Sequence, residues 1–66
     1  MTEAQERLYM LAQVRAITSS AIELLRNANR GVPPYERVAT VKIHGQLLSA
    51  IKSAEQAFEE LGKLLP

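Results

Sequence analysis

The side chains that could take part in chemistry are few, and the most suggestive of them lie around a pair of helix-breaking prolines, Pro33 and Pro34. Arginine and lysine can hold a phosphate, tyrosine can stack on a base, and histidine can donate or accept a hydrogen bond. The predicted ligand-binding residues are Arg30, Tyr35, Arg37, Lys42 and His44.

Composition argues against catalysis. The chain has no cysteine and one histidine. The carboxylates of the chain form no cluster with the spacing of metal ligands. Few acids, bases and nucleophiles remain that could share a site. We therefore predict no catalytic residue, no metal site and no cofactor, and a protein that binds rather than an enzyme that converts.

Charge is distributed unevenly, although the net charge is only +1. Residues 24–52 contain five basic residues against Glu36, a net charge of +4, and the remainder has three basic residues against six glutamates, a net charge of −3. The start of a helix with arginines beside it attracts anions, because free backbone N–H groups add to the side-chain charge. An ordinary solvated loop explains the same charges. The basic patch is too small and too poor in aromatic residues to predict a nucleic-acid site.

The segment before the prolines has the pattern of an amphipathic helix. Thr2, followed three residues later by Gln5, fits a capping box at its start. Gly31 can end the helix in a left-handed conformation that would strain other residues. Apolar residues at steps of three and four predict the face that contacts the second helix: Leu8, Leu11, Val14, Ile17, Thr18, Ala21, Leu24, Leu25 and Ala28.

The segment after the prolines predicts a second helix, since proline is tolerated in a first helical turn but cannot continue a preceding helix. Its apolar track contains Val38, Val41, Leu47, Leu48, Ile51, Ala54, Phe58, Leu61 and Leu65. The predicted fold class is all-α: a single domain, residues 1–66, forming an antiparallel two-helix hairpin. The first helix covers about 3–29, the turn 30–34 and the second helix about 35–64.

Both helices are apolar over more than one stripe, and this predicts self-association. Leu8, Met10 and Ile22 widen the first apolar face beyond what one partner helix covers. A single hairpin of this size would also bury little surface. We therefore expect a homo-oligomer in which hairpins combine into a helical bundle.

His44 stands among apolar neighbours and is expected to face the first helix. With the turn centred near Val32, the residues that would lie opposite one another are Thr18, Ser19 and Ser20 on the first helix and His44, Gly45 and Gln46 on the second. The favoured interpretation is a core histidine bonded to a hydroxyl across the hairpin, with a ligand contact as the alternative. Gly45 costs helix stability, which favours close approach of another helix or, less commonly, of a ligand.

A family resemblance is carried by the turn and the first half of the second helix. The matching segments are Pro34-Tyr35-Glu36-Arg37, then Ala39, Lys42-Ile43, Leu47-Leu48 and Ala50-Ile51. This third of the chain resembles the hairpin domain of the phage anti-CBASS and anti-Thoeris nucleotide sponges. The resemblance implies a virus-encoded oligomer of helical hairpins that sequesters a cyclic nucleotide or a cyclic ADP-ribose-type immune signal without hydrolysing it. Only Arg37 and Lys42 occupy matched positions where a phosphate contact is plausible; Arg30, Tyr35 and His44 are predicted from charge, stacking capacity and placement.

Two other classes of function stay open. A small adaptor or inhibitor could bind a partner protein through the apolar face. A dimeric four-helix bundle could bind RNA or DNA, as plasmid copy-control proteins do, but the basic residues gather at one end rather than along a face. The first residues do not resemble a signal peptide, and no segment is long and apolar enough to span a bilayer. We expect a cytoplasmic protein, in the host cell if it is viral, with no membrane partner.

Overall fold

The structure is a computed structural model that describes residues 2–33 and 38–66, the side chains of Val38 and Ala39 excepted. The described residues form two helices and no strand: α1, Glu3–Gly31, and α2, Val38–Leu64. The two helices pack against each other in opposite directions as a hairpin about 55 Å long. The all-α class and the hairpin architecture are confirmed. α1 ends two residues later than the sequence predicted, and the first residues of the predicted second helix, 35–37, lie outside the described part of the chain.

The start of α1 has the capping box that the sequence predicted. The Gln5 backbone N–H donates to Thr2 Oγ1 at 3.2 Å, and the Thr2 backbone N–H donates to Gln5 Oε1 at 3.0 Å. Glu3 and Glu6 lie in the first turn, where the helix dipole favours negative charge. Two of the N–H groups that every helix start leaves without partners are thereby satisfied.

The end of α1 differs from the expectation. Val32 caps the helix in an extended conformation, and its backbone N–H donates to the Asn29 carbonyl oxygen at 3.3 Å. Neither Gly31 nor any other described glycine has a positive φ. The prediction of a left-handed Gly31 was therefore wrong: an extended residue directly after the helix ends it equally well, and Pro33 and Pro34 follow at once in the sequence.

The contact surface between the helices, which we call the seam, consists of residues spaced alternately three and four apart. Its members are half-buried, except for the buried Ile51, which is 7% exposed. On α1 the seam contains Leu11, Arg15, Thr18, Ile22, Leu25 and Asn29; from α2 and its end it contains Thr40, His44, Leu47, Ile51, Ala54, Phe58, Leu61 and Leu65.

The predicted seam face of α1 was partly wrong. Val14, Ile17 and Leu24 are exposed, Leu24 by 69%, while Ile22, which the sequence analysis placed beside the seam, is half-buried within it. The reason is that α1 carries two adjacent stripes with the same spacing, and the seam uses the less apolar one, which includes Arg15 and Asn29. On α2 the predicted track is confirmed from Leu47 through Leu65, with the exposed Leu48 as an exception; Val41 is also exposed.

Candidate functional site

The hairpin has a shallow recess near its turn. Its volume is about 300 Å³, and it is lined by Arg26, Asn29, Arg30, Leu48 and Ile51. The recess brings two guanidinium groups and an amide to the rim of an apolar surface. Such a combination suits a ligand that has a flat ring for the apolar part and an anionic group for the arginines.

The recess is built by residues that directly follow seam residues. Arg26 follows Leu25, and Leu48 follows Leu47, so each lies about 100° around its helix from the seam. Arg30 follows Asn29 and lies one turn after Arg26 on the same side of α1. The sequence signal for this site is the spacing of four between the two arginines, which the sequence analysis missed for Arg26.

The charged groups of the recess already have protein partners. Arg26 Nη2 forms an ion pair with Glu55 Oε2 across the hairpin at 2.5 Å, and both side chains are nearly half exposed. Arg30 Nη1 donates to Asn27 Oδ1 at 2.9 Å. A bound anion would compete with Glu55 for Arg26 and with the Asn27 amide for Arg30. The amide is easier to displace than the carboxylate because it carries no charge.

His44 bonds across the hairpin, as the favoured interpretation had it, but to a different partner. Its Nδ1 lies 2.7 Å from Asn29 Oδ1. An amide oxygen only accepts, so Nδ1 carries the proton of this bond. The predicted pairing with Thr18, Ser19 and Ser20 was wrong because the helices meet in a different register: His44 lies opposite Asn29, so the hairpin is centred several residues after Val32.

The structure brings together only some of the predicted ligand residues. Arg30 lines the recess, and His44 reaches Asn29, which also lines it. Lys42 is exposed and lies midway between the seam residues Thr40 and His44, a spacing that turns it to the outer side of α2. Tyr35 and Arg37 lie outside the described residues.

A second polar cluster lies toward the open end of the hairpin, where the chain begins and ends. The Arg15 guanidinium carbon is 4.2 Å from the centre of the Phe58 ring, a cation–π arrangement. A Cβ added to Gly62 would lie 3.1 Å from Arg15 Nη2, so the glycine leaves room for the guanidinium. Arg15 Nε is buried and has no hydrogen-bond partner among the described residues. This cluster was not predicted from the sequence, because the seam of α1 was expected to be apolar.

Gly45 packs against nothing within the described part of the hairpin. A Cβ added there would have no atom within 4 Å. Gly45 is therefore not a point of close approach between α1 and α2, and close approach of another copy's helix or of a ligand stays a prediction. It lies between Val41 and Leu48 on the side of the recess.

Comparison of the chain with protein-family models, with curated proteins and with solved structures gives no match. Over the described residues, no three His, Cys, Asp or Glu side chains come together as metal ligands. Neither α1 nor α2, as far as the structure describes them, combines the length and the apolar character needed to cross a membrane.

Proposed function

We propose that this protein is a non-enzymatic homo-oligomer of helical hairpins that sequesters a cyclic nucleotide or a related signalling nucleotide, as a viral anti-defence sponge does. The observation that supports this proposal is the recess, where Arg26 and Arg30 flank the apolar side chains of Leu48 and Ile51. A nucleotide combines a flat, weakly polar base with phosphate charge, so both parts of the recess have a use. Within this proposal the protein acts in the cytoplasm of the infected cell.

The recess favours binding over conversion of the nucleotide. Hydrolysis of a phosphodiester needs an activated water and groups that stabilise the leaving oxygen. The arginines can stabilise charge, but the two candidate bases near the recess each have a protein partner: Glu55 contacts Arg26, and His44 contacts Asn29. The protein would therefore release its ligand unchanged when it is denatured.

Of the residues that the sequence predicted for the ligand, this proposal assigns the main contact to Arg30. Tyr35 and Arg37 follow it in the chain and stay candidates for base stacking and for a second phosphate contact. His44 acts on the ligand through Asn29, whose amide it orients. The proposal does not depend on Lys42, which lies on the outer side of α2.

Calorimetry against cyclic dinucleotides, cyclic ADP-ribose and their linear counterparts tests the proposal. A charge-assisted hydrogen bond contributes about 1.5 to 3 kcal/mol, so Arg30→Ala is expected to weaken binding by about tenfold or more. Glu55→Gln is expected to strengthen binding, because it frees Arg26 and removes a like charge. Chromatography of the ligand recovered after denaturation checks that it is unaltered.

Arg7→Ala is the matched control, since Arg7 is an exposed arginine near the open end and its loss changes the net charge equally. If Arg7→Ala and Arg30→Ala weakened nucleotide binding equally, the binding would reflect net charge and not a specific site in the recess. Absence of binding to every nucleotide tested would reject the sponge.

A protein-binding adaptor is the second candidate, and the exposed apolar residues Ile17 and Leu24 favour it. A helix face of this kind can fit the groove of a partner protein. The two candidates differ in an observable way, since the adaptor needs Leu24 for its partner and the sponge needs Arg30 for its ligand. The adaptor would be favoured if wild type and Arg30→Ala both retained a defined partner protein while Leu24→Glu lost it. Wild type would in that case bind no nucleotide.

A further inference from the structure

One side of the hairpin presents a row of mostly uncharged residues on each helix, and we call these two rows together the apolar face. Every member directly precedes a seam residue, so it lies about 100° around its helix from the seam. The recess residues directly follow seam residues, so they lie about 100° away in the other direction. From α1 the face contains Met10, Val14, Ile17, Ala21, Leu24 and Ala28; from α2 it contains Ile43, Ala50, Ala57 and Leu64, interspersed with the polar residues Gln46, Ser53 and Glu60.

The α1 row and the α2 row of the apolar face lie on the same side of the hairpin. The ion pair establishes this: Arg26 and Glu55 each directly follow a seam residue, and they meet each other across the hairpin. Residues that follow the seam therefore share one side, and residues that precede it share the other. The apolar face and the recess lie on opposite sides of the same molecule.

The two sides differ in charge more than in apolar content, since Val41 and Leu48 are exposed on the side of the recess. From Met10 to Ala28 no member of the α1 row carries a charge, and on the α2 row between Ile43 and Leu64 only Glu60 does, paired with Lys63 at 3.1 Å. The side of the recess contains Glu23, Arg26, Arg30, Lys52, Glu55 and Glu59. Ile17 and Leu24 are 68% and 69% exposed on the uncharged side. A solvated helix face normally carries the charges, so the charged side fits water and the uncharged side fits a protein surface.

The area of the hairpin points to the same conclusion. A compact monomer of this mass, 7.3 kDa, would expose about 4,200 Å², whereas the hairpin exposes 5308 Å². Two separate hairpins would expose about 10,600 Å² and a compact particle of twice the mass about 6,900 Å². A pair that reached this average compactness would bury about 3,700 Å² in total, which is within the range of obligate homodimers.

We propose that a second copy of this chain covers the apolar face, so that two hairpins form a four-helix bundle around it. This interface would account for the self-association in the proposed function, and its formation does not depend on nucleotide binding. The row on α1 is bulky at Ile17 and Leu24, while the row on α2 is small at Ala50 and Ala57. Bulky and small residues on one face let an identical face interdigitate with it about a twofold axis. The recess then faces outward on each copy and stays accessible.

Sedimentation at micromolar concentration tests this proposal without any ligand. Wild type is expected to sediment as two copies of the 7.3 kDa chain. Leu24→Glu and Ile17→Glu place a charge in the covered face, and each is expected to raise the dissociation constant of the dimer at least about a hundredfold. Val41→Glu is the matched control: Val41 is 60% exposed in the hairpin and lies on the side of the recess, so the dimer is expected to persist.

Circular dichroism makes each outcome decisive. An isolated folded hairpin would tolerate Leu24→Glu as well as Val41→Glu, because both positions are exposed in it. Loss of helicity in Leu24→Glu alone therefore also supports a covered face. A wild-type monomer, an unchanged mass for Leu24→Glu, or equal disruption by Val41→Glu would overturn the proposal. Arg30→Ala is expected to keep the wild-type mass, so that failure of nucleotide binding and failure of assembly are told apart.

Discussion

His44 and Arg15 are both polar members of the seam, one near the turn and the other toward the open end, and the structure accommodates them differently. His44 has a hydrogen-bond partner on the facing helix, Asn29. Arg15 instead lies over the Phe58 ring, and its Nε has no partner among the described residues. The seam thus satisfies one polar group by a directed bond and holds the other mainly by packing.

The difference follows from the regular register of the hairpin. Asn29 lies opposite His44 and Arg15 lies opposite Phe58, and the members of each helix are fourteen residues apart, which is two heptads. Midway between them the same register places Ile22 opposite Ile51. An apolar level therefore separates two polar levels. A directed bond fixes a register more strictly than an aliphatic contact, so we expect the level of Asn29 and His44 to select this pairing of the helices.

The largest expected effect is at the apolar level. Ile51→Ala is expected to destabilise the protein by about 2 to 5 kcal/mol, because Ile51 is the buried residue of the seam and truncation leaves a cavity. That loss is a large share of the stability of so small a domain. Thermal unfolding followed by circular dichroism measures it.

Two controls define this result. Ile51→Val is expected to cost about 0.5 to 1.5 kcal/mol, since it removes a single methylene. Val41→Ala, at an exposed apolar position of the same helix, is expected to change stability by less than about 0.5 kcal/mol. A similar loss from Ile51→Ala and Val41→Ala would mean that the apolar level does not carry the seam.

At each level of the seam the sequence predicted the residue of α2 and missed the residue of α1. Ile51, His44 and Phe58 are at predicted positions, whereas Ile22, Asn29 and Arg15 are not. Ile51 was recognised because it belongs to an apolar track with helical spacing, and burial of that track needs no knowledge of the partner. Arg15 and Asn29 were missed because their seam positions depend on how α1 is rotated about its own axis. The same error in rotation placed Leu24 in the seam and left Ile22 outside it: two neighbouring stripes of α1 have the same period, and the period alone does not say which one faces α2.

The candidate site was predictable to a similar degree. The basic turn and Arg30 follow from charge and from the position of the prolines. The recess itself depends on which residues of α1 lie beside Leu48, and this again is a matter of register. Arg26 was read as one charge among several because its partner, Glu55, is 29 residues away in the sequence.

The second prediction concerns the polar level of His44 and Asn29. His44→Ala and Asn29→Ala are each expected to cost about 1 to 2 kcal/mol, because each leaves a half-buried polar group without its partner. In a double-mutant cycle the coupling is expected to be about 0.5 to 1.5 kcal/mol. Additive single effects would show that the bond contributes nothing beyond the separate side chains, and the register would then rest on apolar contacts.

The smallest effect on stability is expected at Arg15. Two substitutions there distinguish the contribution of its packing from that of its charge. Arg15→Met keeps an unbranched side chain over Phe58, loses the cation–π attraction of about 0.5 to 1 kcal/mol, and removes the buried Nε that lacks a partner. These terms oppose each other, so stability is expected to change by less than about 1 kcal/mol. Arg15→Ala also loses the aliphatic stem that covers apolar surface, and it is expected to cost more than Arg15→Met. Thermal unfolding of both variants checks the order. A loss in Arg15→Met as large as that in His44→Ala would show that the charge of Arg15, and not its packing, holds the open end.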